Sequence, residues 1–140
     1  MRADRPLGIA AYLGATGAGA KVYEEFRRGR SAIGAGDGRI SGISLNIILL
    51  NIETTLAATA VNFLDDAKEF TDVPSKLNAL SKAYGLVIGL ENRALSDLLT
   101  SENYNAIRNV FKDRFYTLVQ DASYTKINTA RSLLAGAYGL

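Results

Sequence analysis

Ile43 to Leu64 is a run of 22 residues with a single charge, Glu53. A run that apolar must leave water, and its peptide groups must then be hydrogen-bonded internally. Leu45, Ile48, Leu49, Ile52, Leu56, Ala60, Phe63 and Leu64 recur at spacings of three and four, which predicts a helix from Ile43 to about Phe70. The other side of that helix carries Ile47, Leu50, Ala57, Ala58 and Val61, interrupted by Asn46, Asn51, Thr54 and Asn62. A helix apolar all round is buried on every side, in protein or in lipid. Its length, about 33 Å, is close to the thickness of a bilayer's hydrocarbon core.

The segments on either side of this run differ in character. Residues 1–42 hold nine of the thirteen glycines and seven of the sixteen basic residues. Arg2, Arg5, Lys21, Arg27, Arg28, Arg30 and Arg39 stand against Asp4, Glu24, Glu25 and Asp37, so this part carries 7 − 4 = +3. The remainder has nine basic and ten acidic residues, giving −1 and the overall +2. A global charge that small excludes a histone-type condenser, while a local basic arm can still track a phosphate backbone. Pro6 suits a first helical turn, and a helical arm is expected from about Pro6 to Arg30. Gly8, Gly14, Gly17 and Gly19 each cost about 1 kcal/mol relative to alanine in a free helix, so surroundings must impose that helix. The Gly, Ser and Asp content of 29–42 predicts a hinge.

Beyond the apolar helix, Thr71-Asp72-Val73-Pro74-Ser75 reads as a break and restart, with Asp72 or Thr71 as cap. The next helix sets Leu77, Leu80, Tyr84, Val87, Leu95 and Leu98 on one stripe. Ser101 is expected to cap a helix running to about Asp121, with Tyr104, Ile107, Phe111, Leu118 and Val119 inward. A last helix is expected from about Tyr124 to Ala137. Connections this short imply antiparallel neighbours. The expected fold class is all-α: an N-terminal helical arm plus an up-down, four-helix-bundle-like domain. The division is 1–42, a Gly-rich basic arm and hinge, and 43–140, a helical bundle opening with the long apolar helix.

Little in this composition supports catalysis. The chain has no cysteine and no histidine, removing thiolate chemistry, the commonest general base and the commonest metal ligand. Glu24-Glu25 and Asp65-Asp66 are adjacent acids, which on a helix point about 100° apart and cannot share a proton or a metal. Glu53 is the one acid inside the apolar run. Gly14-Ala-Thr-Gly17-Ala-Gly19 has no preceding strand and no closing Lys-Ser/Thr pair, so it is no phosphate loop. The expectation is a protein that is not an enzyme, with no cofactor and no metal.

Two other patterns carry more. Gly34, Gly38 and Gly42 recur every four residues, as do Gly85 and Gly89; on a helix such sets let another backbone approach. The first set reads as hinge, and the second as close helix packing. Gly85, Gly89, Ile48, Ile52 and Leu56 are the candidate subunit-packing residues. The candidate nucleic-acid contacts are Arg2, Arg5, Lys21, Arg27, Arg28, Arg30 and Arg39, six of them arginine, whose planar fork matches phosphate oxygens. No recognition helix or aromatic platform is present, so such an arm reads phosphates and shape rather than sequence. Arg108, Lys112 and Arg114, interleaved with Asp113, read as a solvated or subunit-facing side.

In its layout of basic arm, long apolar helix and helical C-terminal half, the chain resembles the major coat proteins of filamentous and rod-shaped archaeal viruses. The residues that carry the likeness are Phe70-Thr71-Asp72-Val73, the Leu77/Leu80 helix ending in Tyr84-Gly85-Leu86, and the close Ala137-Tyr138-Gly139-Leu140. The resemblance implies a C-terminal four-helix bundle, an N-terminal arm wrapping double-stranded DNA in A-form, and assembly as homodimers or as heterodimers with a paralogous coat protein. It implies a virion location and assigns the DNA-facing role to the seven arm cations. Glu24 and Glu25 make this arm less basic than the family's, which favours a more basic partner subunit.

Two function classes fit these features. One is a structural capsid subunit that self-assembles helically and wraps double-stranded DNA. The other is a membrane-embedded helical protein, with Ile43 to Leu64 spanning and Arg27, Arg28 and Arg30 on the cytoplasmic side; membrane enters the first reading only as an envelope. A protein-only filament needs the same apolar helix without nucleic acid.

Overall fold

The structure is a computed structural model, and it describes residues 17–93 and 98–140. Those residues are all-helical: α1 (Ala18–Gly34), α2 (Gly38–Glu69), α3 (Val73–Gly89), a 3-10 turn (Leu90–Asn92), α4 (Ser101–Phe111), α5 (Phe115–Gln120) and α6 (Thr125–Tyr138). No strand occurs among the described residues.

The expected hinge is mostly helix. α1 continues through Gly34, and α2 begins at Gly38 rather than Ile43. The link between them is a tight C-cap. Gly36 takes φ 72, the Asp37 N–H donates to the Ala32 carbonyl at 2.8 Å, and the Gly36 N–H donates to Ile33 at 3.1 Å. Glycine at that left-handed position closes the last turn without Cβ strain. Asp37 then accepts from the Ile40 N–H at 3.0 Å and starts α2. A Gly-rich stretch thus makes a sharp turn between two helices instead of a flexible joint.

α1 folds back on α2, and they approach closely where Gly29 faces Ser44. A Cβ at Gly29 would lie 3.3 Å from the Ser44 Cβ. The C-terminal half of α2 is the centre of the fold. Ala57, Ala60, Leu64 and Ala67 are fully buried. Its polar residues are accommodated by bonding back along the helix: Asn51 donates to Ile47, Thr55 to Asn51 and Thr59 to Thr55, at 2.7–2.8 Å.

α3 runs antiparallel to α2, with Lys82 over the Phe63 ring at 5.3 Å and Gly89 opposite Leu56. Asp72 caps it, accepting from the Ser75 N–H at 2.8 Å, with Pro74 in the first turn. The expected stripe stops early. α3 ends at Gly89, Leu98 lies beyond it and is exposed, and Leu95 lies outside the described residues. α4 is capped by Thr100 rather than Ser101, through the Asn103 N–H at 3.2 Å. The single helix expected to Asp121 breaks at Lys112–Arg114. The bend lets Phe111 and Phe115 both reach Tyr84, at centroid distances of 5.3 and 6.1 Å.

α6 lies antiparallel to α2, joined by Arg131 to Asp65 at 2.8 Å, Lys68 to Asn128 at 3.1 Å and Tyr138 to Glu53 at 2.5 Å. Asp121 starts it by accepting from the Ser123 and Thr125 N–H groups, which hold its carboxyl below the usual range. Leu80, Ile107, Ile127 and Leu134 complete a core with no solvent exposure.

Candidate assembly and nucleic-acid interface

The α1–α2 hairpin gathers most of the predicted site. Lys21, Arg27, Arg28, Arg30 and Arg39 are all exposed. Arg2 and Arg5 lie outside the described residues. At about 100° per residue, Lys21 and Arg28 share a face of α1, Arg27 stands about 100° from Arg28, and Arg30 about 60° beyond Arg27. The cations therefore cover roughly half the circumference of α1 rather than one stripe. Arg28 pairs with Glu25 at 3.6 Å, so part of its charge is answered within the helix. Arg39 occupies the first turn of α2.

Among the described residues, the same hairpin carries seven of the twelve exposed large apolar side chains: Tyr23, Phe26, Ile33, Ile43, Leu45, Leu50 and Ile52. That concentration sets the hairpin apart from the rest of the described fold. Between its helices runs a groove of about 460 Å³, walled by Phe26, Gly29 and Ile33 on one side and Gly38, Leu45 and Ile48 on the other. Two polar atoms in its walls, Glu25 Oε2 and Ser44 Oγ, are shielded from water and have no hydrogen-bond partner among the described residues.

The candidate packing residues separate. Ile48 is buried at the groove, Leu56 is half-buried and Ile52 is 46% exposed. Gly89 faces Leu56, where a Cβ would be 3.6 Å from its Cδ1. Gly85 is exposed, with open space around the position of a Cβ, so among the described residues it mediates no close helix approach. Of the second basic cluster, Arg108 pairs with Glu91 at 3.4 Å and lies over Tyr104, while Lys112 and Arg114 are exposed.

Glu53, the lone charge of the apolar run, is 6% exposed and accepts a hydrogen bond from the Tyr138 phenol. Burial, then the bond to Glu53, pushes the Tyr138 phenol far above its ordinary range. Sequence reasoning missed that partner because the two residues are 85 positions apart. It also missed Arg93. Its Nε donates to the Leu99 carbonyl at 2.6 Å, its Nη1 to Leu90 at 3.2 Å, and its guanidinium stacks on Tyr104 at 4.6 Å. Its two shorter hydrogen bonds go to main-chain carbonyls, which leave no mark in a sequence.

Residues 12–114, well over half of the chain, match the domain of unknown function DUF4856. The chain belongs to that family. No curated protein and no solved structure matches it. The DUF4856 match covers the whole α1–α2 hairpin, its groove, and the Arg93–Tyr104 contact, and it ends before α5. Arg131 and Tyr138, which tie α6 to α2, stand outside the DUF4856 region.

Proposed function

We propose that this chain is a structural subunit, an N-terminal helical arm on an up-down helix bundle, that self-assembles helically. In this reading it is a capsid protein of the virion that wraps double-stranded DNA through phosphate contacts without sequence specificity. Its partners are copies of itself, or a paralogous coat protein in a heterodimer. The observation that carries the reading is the coincidence on one hairpin of five exposed cations with seven exposed apolar side chains. Apolar surface joins subunits, and cations spread around a helix meet phosphates on more than one side.

The test is nuclease protection of linear double-stranded DNA by the purified chain, at low salt and without detergent. Protection in long tracts, independent of sequence, is expected. With about four arm cations on phosphates, log K should fall with log salt at a slope near −3.6. Arg27→Glu with Arg28→Glu should abolish protection and leave the bundle folded. A slope of zero overturns the DNA reading.

The arm's own Glu24 and Glu25, the latter paired with Arg28, favour a second reading as a protein-only filament. Complete digestion of the DNA around protein that remains assembled would select it. Gly38–Glu69 is also, among the described residues, the one helix long and apolar enough to cross a membrane, though half of its most apolar window is buried inside the fold. Recovery only in detergent would select the membrane-embedded reading.

A further inference from the structure

We infer that the groove between α1 and α2 receives α1 of a second copy of this chain, laid parallel and in register, so that two hairpins join about a two-fold axis along α1. This rests on the self-assembly half of the proposed function and not on its DNA half.

Val22, Phe26, Gly29 and Ile33 recur at intervals of four, three and four residues, the spacing of the seam of a two-stranded coiled coil. Phe26 and Ile33 are 60% and 71% exposed, although both line the groove. Gly29 faces α2, and Phe26 and Ile33 stand about 60° and 40° round α1 from it. A helix packed on the seam therefore nests against α1 and α2 together, as the third member of a triangular packing. Gly29 puts no side chain between Phe26 and Ile33 on the seam.

Charge fixes the direction. Glu25 and Arg30 flank the seam on opposite sides, five residues apart. In a parallel pair, a residue on one flank meets the residue about five positions later on the opposite flank of its partner. In an antiparallel pair, like flanks meet, and Glu25 would not face Arg30. In the parallel arrangement Arg30 of the second copy comes to the groove wall that Glu25 lines. The two-fold makes the same contact twice.

The test is the association state of the full chain without DNA, by analytical ultracentrifugation over a concentration series. Dimers or larger even-numbered species are expected. Arg30→Glu alters an exposed side chain and should weaken association at least about tenfold. Adding Glu25→Arg to it exchanges the two charges and should restore association, while Glu102→Gln, exposed on α4 away from the hairpin, should leave it unchanged. Because the chain has no cysteine, Ile33→Cys gives a second readout independent of affinity. In register, two such residues face each other within disulfide reach and should cross-link under mild oxidation, whereas Ser31→Cys, on the far side of α1, should not. A chain that stays monomeric overturns this inference and the self-assembly reading together. A chain that associates but ignores the charge variants and links Ile33→Cys no faster than Ser31→Cys overturns this inference alone.

Discussion

Tyr138 donates its phenol to the carboxylate of Glu53 at 2.5 Å, closing α6 onto the middle of α2 across 85 residues of sequence. Tyr138→Phe keeps the ring and removes one donor from a buried carboxylate. It should lower the unfolding free energy by about 1–3 kcal/mol, read as a shifted urea midpoint with unchanged slope.

Acid should weaken the same interface further along α2. Burial raises the pKa of Asp65, but the hydrogen bonds from Arg131 and Lys68 outweigh it and hold the carboxyl below its ordinary value. A folded-state pKa below the unfolded one gives stability that is complete above the unfolded pKa, near 3.9, and is lost as pH falls through the folded pKa. Urea unfolding at pH 7 and pH 3 should differ for the native chain. Asp65→Asn should remove part of that difference, and an unchanged difference would mean Asp65 does not contribute it.

Leu80 has no exposed surface and sits in the core facing α2, whereas Leu45, on the hairpin, is 53% exposed. Leu80→Ala should cost about 2–5 kcal/mol through lost burial and an unfilled cavity. Leu45→Ala should cost under about 0.5 kcal/mol in the monomer. Paired urea titrations at low protein concentration check the ratio.

At Gly85 the backbone is helical and a Cβ would enter open space. Gly85→Ala should therefore stabilise the monomer by up to about 1 kcal/mol, through the better helix propensity of alanine. If another subunit's backbone approaches there, the same change should weaken assembly. Thermal unfolding and sedimentation of one variant separate the two effects.

Helix content was legible wherever a single periodic stripe met a strong cap. Asp72 with Pro74 marked the start of α3, and the Leu45-to-Leu64 stripe marked most of α2. Where the sequence misled, a local signal was overruled by a contact it could not show. The glycines of 29–42 looked like a hinge, because only the bonds of Gly36 and Asp37 to Ile33 and Ala32 reveal a capped turn. Ser101 to Asp121 looked continuous, because nothing local shows that Phe115 must turn back toward Tyr84. For the candidate site, the cations could be named from the sequence but not their scatter around α1. The unanswered Glu25 and Ser44 oxygens depend on how two helices pack, so no pattern of residue types exposes them.

α2 is shared between the hairpin and the bundle without interruption, a rod of 32 residues and about 48 Å. Its far half is gripped by α3 and α6, and its near half carries α1. Hairpin and bundle therefore have no joint between them, and one cannot swing against the other without breaking helical hydrogen bonds. Any lattice made by joining hairpins would inherit its bundle orientation from this strut. Its curvature would then be set by helix stiffness, and a glycine or proline introduced near Asn51 should appear as a change in the bend of the whole assembly.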